Sequence, residues 1–183
     1  MNSASFFQIK YRQTLDTCVL ASYGVACFPF TGTPVLDYFT AYCRNYNQDA
    51  THPERSYENH FHAECRKPGM SGYKILKCLH DGSAEAVFEK ARNAVSLEHV
   101  DWAQTDAAAI ELKLKNPDCL LLLFLNGGTP PNFNRLEWHS IVVGHDGQSL
   151  FYFDTGPGAP IKGPSQLKDF GRLGDAFIVS KKV

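Results

Sequence analysis

The stretch WHSIVVGHDGQSLFYFDT, residues 138–155, decides how the chain is read. Two runs rich in β-branched and aromatic residues, 138–145 and 148–155, flank Asp146-Gly147. That dipeptide favours a two-residue type I′ turn, so the segment reads as a β-hairpin. With this turn His145 pairs with Gln148, Val143 with Leu150, Ile141 with Tyr152, and His139 with Asp154. Directly opposed residues have Cβ atoms roughly 4.5–5.5 Å apart. A carboxylate at that distance accepts the Nδ1–H of an imidazole, fixes its tautomer and stabilises the imidazolium. A slip of one residue would turn Asp154 to the other face.

Strand signals continue on both sides of the hairpin. CLLLLFL (119–125) is a buried strand and AFIVS (176–180) a final one. NGGTPPNFNRLE (126–137) and GPGAPIKGP (156–164) are turn-rich loops, the first fitting equally a lid or specificity loop before His139 and an ordinary connection. Ser165 caps a short helix, QLKDF.

Upstream the period is helical. A helix runs from about Cys18 to Ala26 and ends before Pro29, with Asp16 or Thr17 as N-cap. Thr33-Pro34 opens a second helix carrying Val35, Leu36, Phe39, Tyr42, Cys43 and Tyr46. Residues 47–69 are polar and rich in His and aromatics, and read as a long loop. Ser71–Leu79 is a short helix, Ser83 caps another that carries Ala86, Val87, Ala91 and Val95, and a further helix spans about 106–115.

Composition sets bounds on function. The 183 residues are 44% apolar and 20% charged, with a formal net charge of −1. This suits one globular domain and lacks the basic footprint of a nucleic-acid binder. No apolar run approaches the ~20 residues of a membrane span. MNSASFFQIKYRQ has no basic n-region followed by an apolar stretch. Cysteines 18, 27, 43, 65, 78 and 119 are thinly spread and read as free thiols of a reducing compartment, so the protein is expected to be cytoplasmic as synthesised. Nothing in the residues speaks to oligomeric state.

A His–Asp pair needs a nucleophile, and Cys18 suits the role. At the first turn of an amphipathic helix, the helix N-terminus and a nearby imidazolium both favour thiolate. Gln13, five residues earlier, could donate to a developing oxyanion together with the Cys18 amide. Each piece alone has a plainer reading: a cross-strand polar pair, a small buried cysteine, a surface glutamine.

RQTLDTCVLASYGVA resembles the Gln…Cys helix of papain-like cysteine proteases, especially bacterial peptidases that process double-glycine leaders. WHSIVVGHDGQSLFYFDTGPG resembles the His strand and Asn/Asp strand of the same superfamily. The run from His139 through FYFDTGPG to QLKDF is similar to the C-terminal part of YopT-like effector proteases, which use a Cys-His-Asp triad. The resemblance implies Gln13 as oxyanion donor, Cys18 as nucleophile, His139 as base and Asp154 as its orienter. Val19 stands where leader peptidases carry Gly, and the Gln-to-Cys spacing is one residue shorter. Thr14, Thr17 or backbone amides are the alternative donors. Trp138 beside the His would wall the site or belong to the core.

The expected fold is α+β and papain-like. A single domain, 1–183, would have a mostly helical lobe to about residue 116 carrying the nucleophile, packed on a small antiparallel sheet lobe from about 117 carrying the base. The expected function is thiol-dependent amide hydrolysis through a thioester, with a protein or peptide substrate, no cofactor and no metal. Glutamine deamidation or acyl transfer would use the same triad, and a catalytically inactive binding module would keep the fold alone. A resident cytosolic enzyme and an effector delivered into another cell by a signal-independent route both stay open, with the effector-like C-terminal third leaning toward delivery by analogy. His52, His60, His62 and Cys65 lack the usual paired spacing of a zinc site, and read as a solvated loop or as lining of a substrate cleft. No G-x-S-x-G elbow occurs, and Ser140 would point to the face opposite His139.

Overall fold

The computed structural model describes residues 11–12, 17–125, 139–156, 158–170 and 173–183. The fold is α+β, as expected. Among the described residues five helices come first: α1 (Cys18–Thr31), α2 (Val35–Asn45), α3 (Pro53–Cys65), α4 (Gly72–Gly82) and α5 (Ala86–Ala94). Then follow β1 (Val95–His99), α6 (Ala107–Leu114), β2 (Cys119–Leu125), β3 (His139–His145), β4 (Leu150–Asp154), β5 (Ala159–Lys162), a 3₁₀ turn (Leu167–Phe170) and β6 (Leu173–Lys181). These strands form one antiparallel sheet in the order β1-β6-β2-β3-β4-β5. The last strand in the chain therefore lies inside the sheet, between β1 and β2.

The sheet is covered on both faces where β2 and β3 run. Leu120, Leu122, Phe124, Val142 and Phe153 pack with the helices α1–α5. Leu121, Leu123, Leu125, Ile141 and Val143 pack with Ile110 and Leu114 of α6 and with Leu167 and Phe170. A strand buried on both faces has no polar side to alternate with, which explains the unbroken run CLLLLFL.

The central helix departs from its expected form. α1 is apolar all round rather than amphipathic, with Cys18, Leu20, Ala21, Tyr23, Val25, Ala26 and Cys27 all buried. It also runs through Pro29 to Thr31 instead of stopping before the proline. Pro29 lies in the last turn, where its missing N–H removes one bond. Gly32 then closes the helix at φ +66°, donating its N–H to the Phe28 carbonyl at 2.8 Å. Gly24 lets α2 approach closely, because a Cβ there would meet Tyr38 and Val35 at 3.1 and 3.2 Å.

Three further expectations are corrected. The stretch expected as a polar loop over 47–69 contains helix α3. Pro53 starts it, Glu54 follows in the first turn, and Tyr57 and Phe61, one turn apart, are its buried face. Val95, expected in a helix, begins a strand. VSLEH alternates, with Val95 and Leu97 buried against β6. Residues 159–162, expected as loop, pair with β4 as an edge strand.

The hairpin is present, but its turn holds four residues. His145 pairs with Leu150, not Gln148, and Ile141 with Asp154. The Asp146 carboxylate accepts the Gln148 and Ser149 amides at 2.8 and 2.7 Å, and this pulls two more residues into the turn. A shift of two residues keeps every side chain on its face. It moves His139 from directly opposite Asp154 to the diagonal position. No single helix among the described residues is long and apolar enough to cross a membrane.

Candidate active site

Three elements end at one place. Cys18 is the first residue of α1, His139 the first of β3, and Asp154 the last of β4. His139 Nε2 lies 2.9 Å from Asp154 Oδ1, across the diagonal of the hairpin. A carboxylate only accepts, so Nε2 carries the proton. The expected contact was to Nδ1; the diagonal geometry presents Nε2 instead. Nδ1 is then the nitrogen left for the Cys18 thiol, which is in hydrogen-bonding contact with the His139 side chain.

Asp154 is itself held. Its Oδ1 also accepts the Gly156 amide at 2.9 Å, and its carbonyl accepts the Gly158 amide at 2.9 Å. Gly158 has φ +72°, and a Cβ there would lie 2.6 Å from the Tyr11 carbonyl. The turn after β4 is thereby pressed against Tyr11 and Arg12. By sequence alone both glycines read as ordinary turn residues.

A second pair of residues, to which the sequence reading assigns no role, sets α1 against β3. Ser22 donates to the Ser140 carbonyl at 2.9 Å, and the Ser140 hydroxyl donates to Ser22 Oγ at 3.1 Å. Both serines are fully buried. Ser22 is one helical turn after Cys18, and Ser140 follows His139. This couple fixes the height of Cys18 relative to His139. Ser140 does face away from His139, as expected. The available signal is two polar residues inside otherwise apolar runs, at +4 from the Cys and +1 from the His.

The electrostatics of His139 follow from this arrangement. Burial pushes the imidazole down, but the hydrogen bonds to Asp154 and Cys18 and the negative charges of both outweigh it. The net effect raises it from 6.5 to about 10. The site therefore favours a protonated imidazole beside the Cys18 sulfur. All six cysteines are free, as expected. Burial pushes the Cys27 thiol up to about 12 and raises those of Cys43, Cys65 and Cys119.

Cys18 opens onto a cavity of ≈ 370 Å³. Val19 of α1, Phe61, His62 and Cys65 of α3, Met70, and Phe124 of β2 line it. The histidine-rich stretch thus does line space beside the thiol, from a helix rather than a loop. It does not form a metal site: His60 contacts the Tyr42 hydroxyl at 2.8 Å and Glu64 at 3.5 Å, and no group of three His, Cys, Asp or Glu side chains among the described residues could hold an ion. His60 and His62 stand two apart on a helix and so point in different directions.

Of the four expected site residues, Cys18, His139 and Asp154 meet. Gln13 lies outside the described residues, as do Thr14, Trp138 and the loop 126–137. Thr17 is buried at the N-cap and makes no side-chain cap bond to the helix. The first amides of α1, which have no partner within the helix, are those of Cys18, Val19 and Leu20.

No protein-family model matches the chain, and no curated protein matches it. Among solved structures it is similar to the Pseudomonas avirulence protein AvrPphB, with 14% identity and a TM-score of 0.36 over 97% of this chain and 98% of that one. No site residue is carried over from that similarity.

Proposed function

We propose that the protein is a papain-like thiol hydrolase that cleaves an amide bond of a protein or peptide through a thioester on Cys18. One observation carries this reading: a single imidazole bridges a thiol at a helix N-terminus and a carboxylate at 2.9 Å. A buried polar pair with no chemical task would need no thiol on its second nitrogen.

The Cys18 thiolate attacks the carbonyl carbon, forming a C–S bond as the π electrons move to oxygen. The Cys18 amide, at the positive end of α1, faces that oxyanion; Gln13 is the proposed second donor. Collapse expels the amine, which takes a proton from His139 Nδ1. Neutral His139 then removes a proton from water, the hydroxide attacks the thioester, and the C–S bond breaks to return thiolate and imidazolium. Asp154 keeps the ring in the tautomer that both halves require.

The test is the rate of iodoacetamide labelling against pH, followed by peptide mapping, on the wild type and His139→Ala. Cys18 should label fast and selectively well below pH 8, and this should vanish in the variant. Equal, slow labelling of several cysteines, unchanged by the substitution, would overturn the reading. Mass analysis of reacted substrate then separates chain cleavage from a gain of about 1 Da, the mark of side-chain deamidation.

A further inference from the structure

We infer that the hydroxyls of Tyr57 and Ser71 hold a primary carboxamide of the substrate, the side chain of glutamine or asparagine, next to Cys18. This rests on the reading of Cys18 as the nucleophile. Four side-chain oxygens among the described residues are buried without a hydrogen-bond partner: Thr33 Oγ1, Tyr38 Oη, Tyr57 Oη and Ser71 Oγ. Thr33 and Tyr38 adjoin each other, whereas Tyr57 and Ser71 line one cavity together with Cys18. Folded proteins pair most buried hydroxyls, because leaving one bare is costly. Two bare hydroxyls in one lining point to a partner that arrives with the substrate.

The fold sets both groups. Tyr57 is 1% exposed, and its ring is packed by Phe39, Tyr42 and Phe61, so only the hydroxyl proton is free to turn. The Leu20 amide of α1 faces the Tyr57 oxygen without closing a hydrogen bond, which leaves the hydroxyl to donate. Ser71 is the N-cap residue of α4, where a serine ordinarily accepts a helix amide, yet it makes no such bond. Rotation about one bond turns its hydroxyl, which accepts as well as donates. A carboxamide offers an acceptor oxygen and two donor hydrogens, the complement of this pair. Val19, Phe61, Met70 and Phe124 suit its methylenes. Among the described residues no Asp, Glu, Lys or Arg lines the cavity, so a charged side chain would lose its hydration without a counter-ion.

The probes are iodoacetamides N-substituted with three tails of one shape: carbamoylethyl, the apolar isopentyl and the charged carboxyethyl. Exposed Cys78 in the same molecule corrects for intrinsic reactivity. The carbamoylethyl reagent should label Cys18 about 10-fold faster than isopentyl, roughly what one or two net hydrogen bonds supply. Carboxyethyl should be the slowest. Tyr57→Phe and Ser71→Ala should each bring the carbamoylethyl-to-isopentyl ratio to one or below. Each variant removes a hydroxyl that is unpaired in the free protein, so each should be no less stable than the wild type in denaturant unfolding. Isopentyl as the fastest reagent, or a ratio unmoved by both variants, would overturn the carboxamide and leave the thiol hydrolase standing. Carboxyethyl as the fastest would also overturn it and reassign the donors to an anion. A loss of stability in Tyr57→Phe would give that hydroxyl a partner inside the protein and overturn its part in binding. Slow labelling of Cys18 by all three reagents, equal in the wild type and His139→Ala, would overturn the hydrolase first.

Discussion

His139, partly buried, and His80, fully buried, are both hydrogen-bonded and driven in opposite directions. His139 is raised to about 10, whereas burial lowers His80 to about 4. Burial acts downward on both. The difference lies in what stands within reach. His80 Nδ1 meets the Tyr23 hydroxyl at 2.7 Å inside an aromatic cluster with Tyr38 and Phe88. A phenol satisfies a neutral ring and offers no charge to hold a proton; the Asp81 carboxylate nearby only partly opposes burial, and Lys77, Lys182 and Arg92 reinforce it. His139 has a carboxylate and a thiol against the ring. Histidine in this fold is a structural hinge-pin in one place and a charge carrier in the other, and its neighbours make the choice.

The largest expected effect comes from making His139 resemble His80. Asp154→Ala removes one of the two partners that hold the proton on the ring, so His139 should titrate lower than in the wild type. Alkylation of Cys18 at pH 6 should fall by about 10²–10⁴-fold, the usual contribution of a positioned proton carrier. Asp154→Asn keeps an acceptor for Nε2–H and should lose less. Labelling rates across pH read both; a profile unchanged by Asp154→Ala would break the contrast between the two histidines.

Next in size is the pH dependence of stability. The folded-state value of His80 is depressed, so its contribution is intact above 6.5 and declines as pH falls toward about 4. The shift corresponds to about 3 kcal/mol. Denaturant unfolding between pH 7 and 4 should show this loss, and the double variant Tyr23→Phe with His80→Leu should flatten the slope. His139 works in the other direction: its stabilisation is full below 6.5 and is lost as pH rises through about 10. A wild type equally stable at pH 4 and pH 7 would remove His80 from the comparison.

The smallest effect concerns the couple that aligns the charged site. Ser22→Ala strands the buried Ser140 hydroxyl and should cost about 1–3 kcal/mol in unfolding experiments. Adding Ser140→Ala should recover part of it, because the pair then vanishes together. The single variant should also slow Cys18 alkylation, while the labelling of Cys78 stays as it is in the wild type.

Much of this site is legible in the sequence, for local reasons. Asp-Gly between two β-branched runs announces a hairpin, and a hairpin places residues fifteen apart within reach of each other. The register is not legible there, because the Asp146 carboxylate can bind amides two and three residues on, a choice the dipeptide alone does not reveal. The pairing of His139 with Asp154 survives the difference because two residues is a full strand period. Helix α3 escapes detection for another reason. Its buried side chains are spaced by four, but Glu58, Asn59 and His60 between them hide an apolar stripe only two residues deep. α1 reads as amphipathic only if one face is wet; tertiary packing covers all of it. β1 and β5 leave little local trace, since short strands take their stability from partners far along the chain. Ser22 and Ser140 stand out only as anomalies, and their meaning needs the two elements side by side.

The position of β6 has a consequence in time rather than in space. His139 is carried by β3, β3 pairs with β2, and β2 is flanked on its other side by β6, which also pairs with β1. Residues 173–181 must enter between two strands already present before the sheet is continuous. Pairings between segments so distant in sequence form late and slowly. On the proposed reading, a chain still being synthesised, or held unfolded, therefore carries Cys18 before the sheet that supports His139 is continuous, and the site is completed with the insertion of residues 173–181.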